Sequence, residues 1–184
     1  MGKLSVFNFI SLNGFYKGLN EDISWHRHGA EESDFASDGA KSQGILLFGR
    51  VTYEMMVSFW PTQDAINNIP EVAEGMNNAK KIVFSTTLEK AEWNNTQLIK
   101  GNLIEEIKKL KLIPGENMTI LGSGSIVRQC AELGLIDDYQ IMIDPVAIGK
   151  GTPLFQGISN KLDLKLISTR AFKSGVVLLN YQPI

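Results

Sequence analysis

The amino-acid sequence predicts an α/β fold in which a mixed β-sheet carries helices on both faces. Short apolar runs with the composition of strands alternate along the chain with amphipathic segments of helical period. The last two apolar runs follow each other around Lys173-Ser174-Gly175, a pattern typical of an antiparallel hairpin. The chain therefore combines a strand–helix alternation with a terminal hairpin.

Length and composition restrict the class of protein. The 184 residues fit a single domain, 1–184, and the 43% hydrophobic and 21% charged content is typical of soluble globular proteins. A net charge of −2 provides no basic surface for nucleic acid, and no apolar run approaches the ~20 residues that span a bilayer. Cys130 is the only cysteine, which favours a reducing, cytoplasmic compartment.

Eight strands are predicted from apolar runs and turn signals. The runs at 45–48 and 118–121 are continuously apolar, which indicates central strands covered on both faces. The predicted strands lie near 4–10, 45–48, 82–85, 97–100, 118–121, 138–146, 162–169 and 176–182.

Four helices are predicted between these strands. The helix at 31–42 begins with acidic residues, and Thr52 is an acceptable N-cap for the helix at 52–59. Apolar stripes predict helices at 103–112 and 125–133, the latter ending at Gly134. The Asn- and Pro-containing stretch 61–70 is predicted to be a surface loop.

Three glycine-bearing turns follow apolar strands: Ser11-Leu12-Asn13-Gly14, Gly49-Arg50-Val51-Thr52 and Gly122-Ser123-Gly124-Ser125. The last two lead into helices, and a strand–glycine–helix junction directs unpaired N–H groups toward one point, as phosphate sites require. Two such junctions favour a dinucleotide. The third turn is equally compatible with a phosphate site and with a tight turn that needs glycine only for its backbone shape. The dinucleotide pattern G-x-G-x-x-G is incomplete here, because Val127 stands where its last glycine would be.

Arg50 stands at the start of its helix, where a positive charge opposes the dipole. An anion beside it would explain this placement, and the alternative is a surface side chain lying over the helix start.

Nucleophilic and metal sites find little support in the sequence. His26 and His28 are interpreted as solvated loop residues rather than metal ligands, and Cys130 as a buried small hydrophobe. A hydride-transfer reaction needs few catalytic side chains from the protein, because the cofactor carries the reactivity. The candidate acids for such a reaction are Glu31, Glu32 and Asp34. The alternative for each of them is that its carboxylate only stabilises the start of the helix.

Seven motifs, in this order, resemble the dihydrofolate-reductase-like superfamily, most closely the reductase domain of the bacterial riboflavin-biosynthesis deaminase–reductase. The resemblance covers nearly the whole chain, and its most specific part is the stretch from Glu132 to Phe155. The motifs are Ser11-Leu12-Asn13-Gly14, Phe48-Gly49-Arg50-Val51-Thr52-Tyr53-Glu54, Val83-Phe84-Ser85-Thr86-Thr87-Leu88, Gly122-Ser123-Gly124, Glu132-Leu133-Gly134-Leu135-Ile136-Asp137-Asp138-Tyr139, Pro145-Val146-Ala147-Ile148-Gly149-Lys150-Gly151 and Leu154-Phe155.

The resemblance implies a three-layer α/β/α domain with an eight-stranded, mostly parallel sheet, an antiparallel C-terminal hairpin, and NADPH as cofactor. It places Asp34 near the substrate-binding carboxylate and implies a cis bond between Gly122 and Ser123. Relatives often carry Arg where this chain has Thr86. The cofactor residues implied are Gly49, Arg50 and Thr52 at the pyrophosphate and 2′-phosphate side, Ser85 and Thr86 along adenosine, and Gly122, Ser123, Gly124, Ser125 and Ile126 on the pyrophosphate and nicotinamide side.

The function expected from these residues is NADPH-dependent reduction of a small planar heterocycle, of the pterin or pyrimidinone type. The alternatives are a non-catalytic nucleotide-binding dimeric protein of the same fold and dihydrofolate reductase proper. The expected partners are a small-molecule substrate and a second copy of the chain.

Overall fold

A computed structural model describes residues 1–41 and 44–184, and an eight-stranded sheet runs through the middle of the described chain. All eight predicted strands are confirmed, with end points that differ by a few residues. A separate two-stranded ribbon, β2 (Phe15–Gly18) with β8 (Gly151–Pro153), was not predicted. The strands of the main sheet are β1 (Leu4–Ser11), β3 (Ile45–Gly49), β4 (Lys80–Phe84), β5 (Thr96–Ile99), β6 (Met118–Leu121), β7 (Asp138–Asp144), β9 (Leu164–Ala171) and β10 (Val177–Pro183).

The strand order of the main sheet is β5-β4-β3-β6-β1-β7-β10-β9. Pairing is parallel from β5 through β7, whereas β10 is antiparallel to both β7 and β9. The predicted C-terminal hairpin is thereby confirmed. Because β1, β3, β4, β6 and β7 are parallel, their carboxyl ends meet at one edge of the sheet, where ligands of open α/β sheets bind.

Six α-helices are present in the described residues, and four of them correspond to the predicted ones. The predicted loop at 61–70 is wrong, because it contains a whole helix and the start of another. Thr62 caps the first by accepting a hydrogen bond from Ala65 N, and Pro70 opens the second. The helices are α1 (Ala30–Lys41), α2 (Arg50–Phe59), α3 (Gln63–Asn68), α4 (Pro70–Asn78), α5 (Leu103–Lys111) and α6 (Gly124–Glu132), and residue 42, the predicted end of the first helix, lies outside the described residues.

The N-cap of α2 is Gly49, so the prediction that Thr52 caps this helix is wrong. Thr52 is the third residue of the helix, and its hydroxyl accepts a hydrogen bond from Ser123 N instead. The predicted C-terminal glycine of α6 is found, since Gly134 follows the helix with a φ of 61°.

Helices cover the sheet on both faces, as alternation along β3 illustrates. Leu47 packs in a cluster with Ile107 of α5 and Val127 of α6, whereas Phe48 packs with Tyr53 of α2 on the opposite face. A third, smaller cluster joins the C-terminal hairpin to α1. Within the described ranges, no helix is long and apolar enough to cross a membrane.

Lys81 of β4 is a charged residue inside the core, with 1% of its surface exposed. Its Nζ donates to the carbonyl oxygens of Met76, Asn77 and Ala79 at 2.7–3.0 Å, where α4 ends, and lies 4.5 Å from the centre of the Trp93 ring. Burial lowers the pKa of Lys81 to about 8. The three carbonyls need all three ammonium hydrogens, so they favour the charged form.

Candidate functional site

Two of the predicted glycine turns are joined to each other at the carboxyl edge of β3 and β6. The backbone N–H of Gly49 donates to Ser123 Oγ at 2.8 Å, and the N–H of Ser123 donates to Thr52 Oγ1 at 3.1 Å. A Cβ at Gly122 would lie 3.2 Å from Thr52 Cγ2, so the turn approaches α2 closely. The two turns therefore form one rigid unit.

Helices α2 and α6 both begin at this unit without a side-chain cap. The N-cap residues are Gly49, which has no side chain, and Ser123, whose hydroxyl does not accept from the first turn of its own helix. The first N–H groups of a helix have no partner within it, and they carry the positive end of its dipole. Two such starts side by side can hold an anion with two linked phosphate groups.

The backbone of the third turn is left-handed at two successive residues. Gly122 has a φ of 60° and Ser123 a φ of 51°. The implied cis bond between them is wrong, because the peptide bonds of residues 1–41 and 44–184 are all trans. A left-handed serine costs of order 1–3 kcal/mol and persists where surrounding bonds hold it.

Ser85 lies at the same edge as the two joined turns. Gly49 pairs with Phe84 in register, so Ser85 follows directly beside the start of α2. Its Oγ accepts hydrogen bonds from Thr87 N (3.2 Å) and Leu88 N (2.9 Å), which fixes the turn after β4, and Thr86 is exposed. These residues border the joined turns on the side of β4.

Of the two residues that follow Gly124, Ser125 is exposed and Ile126 is buried. Ile126 is 3% exposed and packs against the joined turns, since its Cδ1 lies 3.8 Å from the position that a Cβ of Gly49 would occupy. Ser125 is exposed beside it. A cavity of about 140 Å³ opens at this helix start, lined partly by Ser125, Arg128 and Tyr16.

Arg50 is exposed and forms an ion pair with Glu54, whose two carboxylate oxygens lie 2.9 and 3.1 Å from Nη1. An exposed pair at this helical spacing stabilises by only ~0.3–0.5 kcal/mol. Arg50 therefore has a partner, and the free energy needed to release it is small.

The three candidate acids of α1 have different surroundings. Asp34 is exposed. Glu31 and Glu32 contact the C-terminal hairpin: Lys173 N donates to Glu31 Oε2 at 3.0 Å, and Ser174 Oγ donates to Glu32 Oε1. The hydrogen bond from Lys173 lowers the pKa of Glu31. The described hydrogen bonds of these acids therefore serve to attach α1 to the hairpin.

His26 is buried, so its interpretation as a solvated loop residue is wrong. Its ring stacks on Phe9 with centroids 3.8 Å apart, and its Nδ1 lies 2.7 Å from Asp144 Oδ2. His28 does remain exposed, and partial burial of its ring together with the nearby His26 lowers its pKa. The sequence gives only a weak signal for the pair of His26 and Asp144, because Asp144 stands out only as a carboxylate at the end of an apolar strand.

Two further residues at the edge were not predicted. Tyr16 lies against the start of α6, since a Cβ at Gly124 would be 2.7–2.9 Å from three of its ring and hydroxyl atoms. Asn8 is buried, and its Oδ1 has no hydrogen-bond partner among the described residues. Asn8 could have been found, because it interrupts the inward apolar alternation of Leu4, Val6 and Ile10; Tyr16 gives no such signal.

The parts of the chain that the structure describes contain no candidate metal site and no reactive thiol. No group of three or more His, Cys, Asp or Glu side chains there could hold a metal ion. Cys130 is fully buried, as predicted, and burial raises the pKa of its thiol to about 12. A thiol that stays protonated is a poor nucleophile.

Comparison with known proteins agrees with this fold. The family model of the RibD C-terminal domain matches residues 3–178. The chain is 31% identical over 173 residues to the uncharacterized protein YyaP of Bacillus subtilis (strain 168), covering 94% of this chain and 90% of YyaP.

Two solved structures share the fold. A protein from Shewanella sp. PV-4, provisionally described as a riboflavin biosynthesis protein, has a TM-score of 0.76 at 21% identity over 99% of both chains. Dihydrofolate reductase from Enterococcus faecalis, solved with NADP(H) and RAB-propyl, has a TM-score of 0.66 at 15% identity over 99% of this chain and 96% of that one.

The strand order and the joined helix starts define a three-layer α/β/α domain of the dihydrofolate-reductase-like type, as predicted. Within that class, the chain belongs to the RibD C-terminal domain family.

Proposed function

We propose that this protein uses NADPH to reduce a small planar heterocycle of the pterin or pyrimidinone type. The observation that carries the proposal is the pair of uncapped helix starts at α2 and α6, joined through Gly49 and Ser123. Such a pair favours a ligand with two linked phosphates. The dihydrofolate reductase that shares this fold was solved with NADP(H), which supports the same cofactor.

The residues at the edge fit this cofactor. A Cβ would crowd Thr52 at Gly122 (3.2 Å) and would clash with Tyr16 at Gly124 (2.7–2.9 Å), so glycine allows the close approach of the third turn to both neighbours. Asn8, with its unpaired Oδ1, is on β1 one residue beyond the pair Phe7–Leu121, and its amide is available to a carboxamide group. We assign the pyrophosphate side to Gly49 and Thr52, the stretch between pyrophosphate and nicotinamide to Gly122, Ser123, Gly124, Ser125 and Ile126, and the adenosine side to Ser85 and Thr86.

Arg50 is the proposed partner of the 2′-phosphate. A guanidinium binds phosphate oxygens in a bidentate manner, with charge-assisted hydrogen bonds about twice as strong as neutral ones. Exchange of the weak Glu54 pair for a phosphate is therefore favourable. This preference would select NADPH over NADH.

Nicotinamide, when bound, supplies the hydride, and the protein binds, orients and shields the reactants. Phe7 of β1 and Phe35 of α1 pack with ring centroids 6.0 Å apart on the face that carries Phe9. Their apolar surface suits a flat ring. We propose that Asp34, the acid that the sequence predicts, binds this ring.

The second candidate function is a non-catalytic nucleotide-binding dimeric protein, and the exposure of Asp34 favours it. We also propose a homodimer, since Leu166 and Ile167 of the edge strand β9 are about half exposed, at 48% and 51%. The cytoplasmic location is proposed on the single cysteine, Cys130. Sedimentation velocity at several protein concentrations tests the dimer. A monomer at every concentration would contradict it.

The test of function starts with binding. NADPH and NADH are titrated against the protein while the fluorescence of its three tryptophans is followed, and NADPH oxidation is then measured with a panel of pterins and pyrimidinones. We expect tighter binding of NADPH and turnover with at least one ring. Binding without turnover would support the non-catalytic alternative, and no binding of either nucleotide at millimolar concentration would exclude both.

A further inference from the structure

The pair His26–Asp144 lies at the same edge of the sheet as the joined glycine turns. Asp144 is the last residue of β7, and it pairs in register with Ser11 at the end of β1. Two strand spacings of ~4.8 Å separate β7 from β6, so the pair lies ~10 Å along the edge from the start of α6. A ligand that extends along this edge from α6 therefore reaches it.

The carboxylate of Asp144 holds the His26 ring in a fixed orientation. Asp144 is fully buried; its Oδ2 lies 2.7 Å from His26 Nδ1, and its Oδ1 accepts a hydrogen bond of 2.8 Å from Arg27 N. Because a carboxylate accepts, Nδ1 carries a proton. Phe9 fixes the plane of the ring, with an angle of 5° between the two rings.

The second ring nitrogen, Nε2, is left without a hydrogen bond to any described residue, although only 6% of the side chain is exposed. His28 contacts the ring edge-on at 4.5 Å, and Glu32 lies near His28. Nε2 is not among the buried, unpartnered side-chain atoms of the described residues, which are Asn8 Oδ1 and Asn180 Oδ1, so it keeps contact with solvent and is accessible to a ligand. An oriented imidazole with one free nitrogen is the arrangement of a general acid or base.

We propose that His26 donates the proton in the reduction, an inference that rests on the proposed function. The hydride forms a new C–H bond on the ring carbon of a C=N group, and the π electrons move to the nitrogen. That nitrogen takes the proton from His26 Nε2, while nicotinamide is oxidised by two electrons. His26 becomes neutral and regains a proton from water, and Asp144 balances the charge of the protonated ring.

The variant His26→Asn separates this role from a purely structural one. The amide of Asn occupies a position similar to Nδ1, so it preserves a donor for Asp144 while Nε2 is removed. The matched control is His28→Asn, the same change at the neighbouring exposed histidine. Asp34→Asn, in a third sample, tests the acid that the sequence predicts.

We expect His26→Asn to lower kcat about a hundredfold, within the range for general acid catalysis, with the Kd for NADPH unchanged. His28→Asn, which removes a ring that only contacts His26 edge-on, should lower kcat far less than His26→Asn and leave the Kd for NADPH unchanged. A wild-type kcat in His26→Asn would overturn the proton role alone, and a loss confined to Asp34→Asn would assign the acid to Asp34. Failure of the wild-type protein to bind NADPH or reduce any ring would overturn the proposed function, and the proton role with it.

A readout independent of turnover uses the imidazole ¹⁵N resonances. The protein is saturated with NADP⁺, and the ring that gives the highest rate is added. We expect the Nε2 resonance of His26 to move more than its Nδ1 resonance and more than either His28 resonance. Unchanged His26 resonances with the ring bound would contradict a contact between Nε2 and substrate.

Discussion

The hydroxyl of Ser123 accepts a hydrogen bond of 2.8 Å from the backbone N–H of Gly49, and this bond joins two turns that are 74 residues apart in the chain. Ser123 adopts a left-handed φ of 51° in making it. The bond sets the spacing between the starts of α2 and α6. Any ligand held by both helix starts depends on that spacing.

Replacement of Ser123 by Ala is expected to weaken NADPH binding and to destabilise the fold by about 1–3 kcal/mol, because Gly49 N loses its acceptor in a part-buried position. Fluorescence titration and denaturant unfolding measure the two effects. Ser58→Ala on the exposed end of α2 is the matched control, and it should change neither quantity. Unchanged NADPH affinity in Ser123→Ala would show that the joint is not needed for binding.

Arg50 and Glu54 should control the choice between NADPH and NADH. Arg50→Gln is expected to weaken NADPH about tenfold or more and to leave NADH nearly unchanged, because only NADPH carries the 2′-phosphate. Glu54→Gln should change NADPH affinity in the opposite direction, by a few-fold, because it frees Arg50 from its carboxylate partner. Equal losses for both nucleotides in Arg50→Gln would place the 2′-phosphate elsewhere.

The strands were predictable because their signals are local. Continuous apolar runs located β3 and β6, and Lys173-Ser174-Gly175 located the hairpin. The helices α3 and α4 were missed because both are short, and α3 is mostly polar with Ala65 as its buried residue. Their start signals, Thr62 and Pro70, were present in a stretch whose composition indicated a loop.

The candidate site was predictable only in part, because its geometry depends on contacts between distant segments. The glycine turns carry a local signature, so Gly49 and Gly122 could be predicted to lie near each other. The stacking of His26 on Phe9 and its bond to Asp144, 118 residues away, leave no local pattern. A histidine in a polar loop is typical of a solvated side chain until the tertiary partner is known.

Tyr16 should limit substitution at Gly124. A Cβ there would lie 2.7 Å from the ring, so we expect Gly124→Ala to destabilise the protein by about 1–3 kcal/mol. In a Tyr16→Ala background the same substitution should cost much less, which a double-mutant cycle measures as a coupling of about 1 kcal/mol or more.

Gly39→Ala in α1 is the matched control for this cycle, since a Cβ there meets nothing within 4 Å. It should stabilise the protein slightly. Additive effects of Gly124→Ala and Tyr16→Ala would show that the ring moves away from the helix start at no cost.

Lys81 gives the stability a pH dependence of known sign. Its pKa is lowered to about 8 in the folded protein from a usual value of 10.5, so between these pH values the unfolded chain binds more protons. Stability should therefore rise with pH through this interval, and the cost of the buried charge should be fully present below pH 8. The variant Lys81→Met lacks this term, and denaturant unfolding at pH values across the interval measures the difference between the two proteins.

At neutral pH, Lys81→Met should still be less stable than wild type by about 1–3 kcal/mol, because the carbonyls of Met76, Asn77 and Ala79 lose their donor. The control Lys80→Met changes an exposed neighbour in the same strand and should have an effect below about 0.5 kcal/mol. If the difference between wild type and Lys81→Met stays constant across the interval, the three carbonyls and the Trp93 ring stabilise the ammonium enough to offset its burial.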